Sequence, residues 1–199
     1  LYPGLGLLAL LIGAILATLL SLGRNSFLAA LGVFYAGFPA VALIWLRSDP
    51  YEPWLGLLSV IFLIVIVATA DTAAFLCGRL LQGPLLWPQV SPKKTWSGLL
   101  GAMSASAVVG ALFWLAVPGG STLRLAAVGA ALALVAQAGD LGESALKRRF
   151  GAKDAGSLLP GHGGVMDRVD GLIAAAAAAA LAAAVIDMQS PARALLLGS

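Results

Sequence analysis

The chain has 199 residues, of which 60% are hydrophobic and only 11% are charged. Soluble domains have about a quarter of their residues charged, so this composition excludes an ordinary soluble protein and indicates an integral membrane protein. The formal net charge is +3, and the basic residues sit in a few loops rather than in one run. This argues against nucleic-acid binding and favours loops that face anionic lipid or anionic substrates.

The N-terminal part of the chain predicts three membrane spans. Residues 5–22 carry no charge, and about eighteen helical residues at ~1.5 Å each are enough to cross a hydrocarbon core of ~30 Å. The second predicted span is 27–46, with Pro39 inside it as an expected kink. The third is 54–70, and Asp71 follows it directly. Because the first residue is Leu, we expect the natural chain to begin earlier.

Three further apolar runs follow. The fourth predicted span, 98–117, has small residues at every fourth position, which let another helix approach closely: Gly98, Ala102, Ser106 and Gly110. The fifth is 125–139, which we expect Asp140 to end. The sixth is 171–186, which is dominated by alanine and could instead be a buried helix. The lone Cys77 excludes a disulfide framework.

These runs predict an all-α, polytopic membrane bundle of about six transmembrane helices. We divide it into an N-terminal frame of transmembrane helices (1–70), a catalytic transmembrane core with its loops (71–186) and a C-terminal tail (187–199). The loops after the third and the fifth spans hold most of the lysines and arginines. By the positive-inside rule we expect both loops, and therefore the active site, to face the cytoplasm.

Acidic residues lie at the same ends of these predicted spans as the basic loops. Alternating crossings place them at one membrane face, beside Lys93 and Lys94: Asp71, Asp140, Asp167 and Asp170. Charge near a membrane is costly, so such a cluster indicates a working site. Asp-Arg and Lys-Asp neighbours could also be plain interfacial ion pairs, and Lys93-Lys94 could be only a topology signal.

The residue types favour a hard cation with oxygen ligands. Mg²⁺ is held by one or two carboxylates while substrate phosphates complete its shell. Zinc is disfavoured, because His162 is the only histidine. Glycines around His162, at positions 161, 163 and 164, would let backbone approach a phosphate. Acids, bases and a glycine turn together predict phosphoryl or nucleotidyl transfer.

The polar segments also resemble a known family. The pattern combines ADTAAFLCGR (70–79), SPKKTW (91–96), GDLGES (139–144), SALKR (144–148), KD (153–154), LPGHGG (159–164) and DRVD (167–170). In order and spacing it closely resembles the signature of the phosphatidate cytidylyltransferases, also called CDP-diacylglycerol synthases, over about half of the chain. The chain departs from that pattern at Ala73-Ala74-Phe75, where glycine and then Ala-Tyr are usual, and at Ser97, where glutamate is usual.

The resemblance implies a nucleotidyltransferase of phospholipid biosynthesis, in the bacterial inner membrane, that condenses CTP with phosphatidic acid to give CDP-diacylglycerol and pyrophosphate with Mg²⁺. The family's metal-site aspartates fall on Asp140 and Asp167; we expect Glu143, Asp170 and Asp71 to support them, and K⁺ is a candidate second cation. The expected catalytic residues are Asp140, Asp167, Lys147, Arg168 and His162, the last in a positioning role. The expected CTP and phosphate contacts are Asp71, Arg79, Ser91, Lys93, Lys94, Thr95, Arg148, Gly163 and Gly164.

Two other functions remain open at this point. A CTP-dependent polyprenol or lipid kinase would use the same nucleotide at a membrane face. An ion-coupled transporter is less favoured, because transporters usually place ionisable residues near mid-membrane in repeated halves, and no repeat is visible. The expected partners are CTP, phosphatidic acid and the bilayer, with a homodimer as the candidate assembly and no nucleic acid.

Overall fold

A computed structural model describes residues 3–21, 26–149, 151 and 166–199, without the side chains of residues 3 and 166–168. The described residues form seven α-helices, a short 3₁₀ turn (Phe113–Leu115) and one two-stranded sheet. The helices are α1 (Pro3–Leu20), α2 (Ser26–Arg47), α3 (Pro53–Leu80), α4 (Trp96–Leu112), α5 (Thr122–Arg149), α6 (Met166–Ile186) and α7 (Pro191–Leu196). The strands are β1 (Leu85–Trp87) and β2 (Ser91–Thr95). The predicted all-α class is confirmed.

Within the described residues, five helices are long and apolar enough to cross a membrane. They are Ser26–Arg47, Pro53–Leu80, Trp96–Leu115, Thr122–Arg149 and Val169–Ile186. The N-terminal helix, from Gly4 to Leu20, is a shorter apolar helix. Large apolar side chains remain exposed along these helices, as Val185 does at 88%. Such apolar surfaces are stable in contact with hydrocarbon rather than water, so the chain is an integral membrane protein.

The helix ends differ from the predicted ones. Helix α3 continues to Leu80 and α5 to Arg149, so Asp71 and Asp140 lie inside helices and do not end them. The end of an apolar run marks where hydrocarbon contact stops, whereas a helix continues until its backbone is broken. Neither 71–80 nor 140–149 contains a proline, and α5 ends on a basic turn that suits a helix C-terminus.

The chain divides into two compact units. The first unit comprises Leu1–Val60 and Ala176–Ser199, and the second comprises Ile61–Ala175. In the second unit, the predicted stripe of small residues on α4 is buried: Gly98, Ala102, Ser106 and Gly110. A side chain at Gly110 would collide with the carbonyl oxygen of Leu125 in α5, and one at Gly98 would approach that of Ala74 in α3. A side chain at Gly129 of α5 would collide with the carbonyl oxygen of Ser106. The predicted close helix approach is therefore confirmed.

In the first unit, a buried carboxylate holds the C-terminal residues. Asp49 is 3% exposed, and its Oδ1 accepts hydrogen bonds from the backbone N–H groups of Tyr51 (3.1 Å) and Glu52 (3.0 Å). Its Oδ2 accepts from the Ser190 hydroxyl (2.7 Å) and from the backbone N–H of Ala192 (3.3 Å). One side chain thus joins the turn before α3 to the start of α7. From the sequence, the tail carried no recognisable role.

We expect Asp49→Ala to lower the free energy of unfolding by about 2–4 kcal/mol, because it leaves buried donors on both segments without their acceptor. Denaturation of the detergent-solubilised protein, followed by tryptophan fluorescence, would measure this. Glu52→Ala is the matched control. It removes only the exposed pair of Glu52 with Arg193, whose N and O atoms are 3.3 Å apart, and such pairs contribute less than about 1 kcal/mol. Equal losses in the two variants would contradict the assignment.

Candidate active site

A cavity of about 320 Å³ lies in the second unit, lined by residues from α3, the two strands, α4 and α5. Its polar lining consists of Asp71, Ser91, Lys93, Lys94, Thr95, Gln137 and Asp140. Its apolar lining includes Ala74, Phe75, Leu86 and Leu99. Acids and bases from segments far apart in sequence therefore face one space, as the alternation of spans predicts.

The two lysines reach the cavity on a β-hairpin that the sequence did not predict. Strand β1 pairs antiparallel with β2, with Leu85 opposite Thr95 and Trp87 opposite Ser91. Thr95 then caps α4, because its Oγ1 accepts from the backbone N–H of Gly98 at 3.1 Å. Lys93 and Lys94 are thus held directly before the first turn of a rigid helix.

Close packing brings the hairpin end of α4 against α3. A side chain at Gly98 would lie 2.8 Å from the carbonyl oxygen of Ala74, so only glycine permits this approach. Ser97 donates a hydrogen bond to the carbonyl of Gln82. The serine therefore ties the start of α4 to the loop that follows α3.

An ion pair joins β2 to α5. The Lys94 Nζ lies 2.6 Å from Asp140 Oδ2, and the two side chains are 18% and 33% exposed. The same ammonium donates to the backbone carbonyl of Gln137 at 3.2 Å. Asp140 Oδ1 accepts from the Ser144 hydroxyl at 3.4 Å. Both oxygens of Asp140 are thus held by donors, and a cation already sits against one of them.

Gln137 is a site residue that the sequence analysis missed. Its side chain is 5% exposed, and its Nε2 donates to Asp71 Oδ1 at 3.1 Å. A signal was present: Gln137 is the only polar side chain in 125–139 and precedes Asp140 by three residues, so both lie on one face of α5. A buried amide needs a hydrogen-bond partner, and here the partner is a carboxylate from α3.

Helix α6 adds a further acid near the pair. Asp170 is close enough to Asp140, Glu143 and Lys94 to interact with them electrostatically, and its Oδ1 accepts from the next backbone N–H at 2.7 Å. The approach of α6 to α5 requires Gly139, where a side chain would meet Ala174 and, at 3.3 Å, the carbonyl of Asp170.

The remaining predicted residues fall into two groups. Four lie outside the cavity lining: Glu143 and Lys147 pair with each other at 3.4 Å, Arg148 is exposed on α5, and the Arg79 guanidinium lies 5.9 Å from the centroid of the Phe75 ring. The others fall outside the described part of the chain, either as residues or as side chains: His162, Gly163, Gly164, Asp167 and Arg168.

The donor set can be compared with the needs of a metal ion. Across 3–21, 26–149, 151 and 166–199, no three histidine, cysteine or acidic side chains lie close enough to hold a metal together. The acids near the cavity nevertheless present oxygen donors only, the type that Mg²⁺ prefers. Asp140 accepts a positive group at 2.6 Å. In chemical type the described residues therefore fit a hard cation.

Comparisons with known proteins identify the family of the chain. Residues 4–186 match the cytidylyltransferase family. The chain is 52% identical over 159 residues to the phosphatidate cytidylyltransferase of Brucella suis, covering 78% of this chain and 57% of that protein. It is 37% identical to that of Staphylococcus saprophyticus (77% and 58% covered) and 36% identical to that of Rickettsia bellii (72% and 63%).

The chain spans little more than half the length of these curated relatives. The match to the family itself extends from α1 to the end of α6 and includes every element that lines the cavity. The chain therefore belongs to the cytidylyltransferase family.

Proposed function

We propose that this chain catalyses the condensation of CTP with phosphatidic acid to CDP-diacylglycerol and pyrophosphate. The observation that carries the proposal is the cavity in which Lys93 and Lys94 meet Asp71 and Asp140. The names of the relatives supply the substrates. The phosphates of a nucleotide carry a large negative charge, which the two adjacent lysines on β2 can bind. The apolar helices beside the cavity can contact the acyl chains of a lipid.

In the proposed reaction, a phosphate oxygen of phosphatidate attacks the α-phosphorus of CTP. A new P–O bond forms, the bond from the α-phosphorus to the oxygen bridging to the β-phosphorus breaks, and pyrophosphate leaves with that electron pair. The attacking oxygen is already anionic near neutral pH, so little proton removal is needed. The barrier comes instead from aligning two polyanions against their repulsion, which positioned lysines reduce.

Mg²⁺ is part of the proposal. Asp140 would hold it, with Asp167 as the second ligand that the family resemblance implies and Asp71, Glu143 and Asp170 in support. When bound, the ion supplies charge neutralisation on the phosphates. K⁺ remains a candidate second cation, and His162 a candidate positioning residue.

We place the cavity at the cytoplasmic face of a bacterial inner membrane, where CTP is available. The distribution of basic residues supports this orientation. The lipid tails would stay among the helices, open sideways to the leaflet. A homodimer remains a prediction.

CTP labelled at one phosphate separates the proposed reaction from its nearest competitor. With purified protein, phosphatidate and Mg²⁺, label at the α-phosphate should enter the lipid and label at the γ-phosphate should leave as pyrophosphate. A lipid kinase would transfer only the γ label. Lipid extraction followed by thin-layer chromatography measures how much label enters the lipid with each form of labelled CTP. Entry of the γ label alone would overturn the proposal.

We expect Asp140→Asn to reduce formation of CDP-diacylglycerol by about 10²–10³-fold, because a neutral amide neither pairs with Lys94 nor holds a cation. Membrane insertion should be unchanged. Asp187→Asn is the matched control, since Asp187 lies outside the cavity lining and its Oδ1 accepts a hydrogen bond from the backbone N–H of Gln189 at 2.8 Å. Wild-type turnover in Asp140→Asn would remove Asp140 from the mechanism.

The two lysines should differ in their effects. Lys93→Gln should raise the KM for CTP about tenfold, the effect of one lost charge-assisted hydrogen bond. Lys94→Gln should lower kcat as well, because Lys94 also holds Asp140 at 2.6 Å. Steady-state kinetics with each substrate varied in turn would measure both. The same KM and kcat in the two variants would contradict this division.

A further inference from the structure

Gln137 makes two contacts that connect separate charged groups of the cavity. Its side-chain Nε2 donates to Asp71 Oδ1 at 3.1 Å, and its backbone carbonyl accepts from Lys94 Nζ at 3.2 Å. We propose that Gln137 is a positioning residue, which holds the Asp71 carboxylate and the Lys94 ammonium so that both face one nucleotide-binding cavity. This inference rests on the proposed function and adds to it a residue that sets CTP affinity.

The environment of the amide makes this contact strong. Gln137 is 5% exposed, so its N–H groups have little access to water, and an unpaired buried amide is unfavourable. Asp71 comes from α3 and Lys94 from β2, whereas Gln137 belongs to α5. One residue therefore links three elements whose side chains line the cavity.

The hydrogen-bond geometry also determines which groups remain for a ligand. The Lys94 ammonium has three N–H donors, of which one points to Asp140 and one to the Gln137 carbonyl. The third is then the donor for a phosphate oxygen. The Gln137 amide engages one oxygen of Asp71, which fixes the carboxylate rotamer and directs the other oxygen. Loss of the amide would free Asp71 to rotate toward Lys94 and compete with the phosphate for that donor.

A purely structural role for Gln137 predicts different behaviour. In that case the hydrogen bond to Asp71 only offsets the cost of burying the Gln137 amide. Replacing Gln137 would then lower the stability of the protein without a selective effect on the KM for either substrate. Ser106 provides the matched control. It is fully buried in α4, its hydroxyl donates to the carbonyl of Ile66 at 3.3 Å, and it does not line the cavity.

Steady-state kinetics on Gln137→Leu and Ser106→Ala separate the two roles. Gln137→Leu keeps a similar side-chain volume and removes the hydrogen bond. We expect it to raise the KM for CTP about tenfold, with the KM for phosphatidate unchanged, because one hydrogen bond to a charged group is lost. Ser106→Ala should keep both KM values. If Gln137→Leu lowers the melting temperature but keeps the wild-type KM for CTP, the positioning role is overturned.

A stability cycle keeps this inference distinct from the proposed function. The melting temperatures of Asp71→Asn, Gln137→Leu and the double variant should be non-additive if the two side chains interact. Additive shifts would overturn the contact whatever the activity. If the wild type makes no CDP-diacylglycerol while the shifts are non-additive, the proposed reaction fails and the Asp71–Gln137 contact stands.

Discussion

The ion pair between Lys94 and Asp140, 2.6 Å long, is the interaction on which the cavity depends. Each partner belongs to an element that would otherwise present a charge next to apolar helices, where unpaired charge is unfavourable. Together they hold the hairpin strand β2 on α5. The Lys94 ammonium also donates a hydrogen bond to the Gln137 carbonyl. This second contact fixes the orientation of the ammonium next to Asp140.

Small residues create the space for this pair. Gly98 lets α4 begin close to α3, and Gly139 lets α6 approach α5 near Asp170. With bulkier residues at these positions the helices would separate, and the acids of α3, α5 and α6 would no longer act on one another. In a membrane, close packing replaces much of the hydrophobic driving force between helices. The same glycines therefore serve both the stability of the bundle and the geometry of the site.

The sequence predicted the positions of the apolar runs and the convergence of Asp71, Lys93, Lys94 and Asp140, because both depend on composition and on alternating crossings. It did not predict where α3 and α5 end, since hydropathy reports contact with hydrocarbon and a helix continues beyond it. The β-hairpin was also missed. Its strands are three and five residues long, and a run with prolines and lysines gives no alternating pattern to recognise.

Two buried polar residues were beyond the sequence analysis for another reason. Gln137 and Asp49 each form a hydrogen bond with a residue far away in the sequence. The partner of Gln137 is Asp71, in the second unit, and that of Asp49 is Ser190, in the first. Their roles are set by tertiary contacts that no local pattern encodes. A lone polar residue in an apolar run does signal that a partner exists, but the identity of that partner follows only from the fold.

The arrangement of charge in the cavity also bears on the proposed reaction between two anionic substrates. Its described lining alternates acids from α3 and α5 with lysines from β2, so neither sign dominates. If the proposed reaction takes place here, a purely basic pocket would hold the pyrophosphate product tightly, whereas acids beside the lysines would limit that affinity and leave room for the proposed metal. Binding that is equal in the ground and transition states does not accelerate a reaction. A cavity with opposed charges in fixed positions would therefore suit the proposed transfer better than one built for tight anion binding.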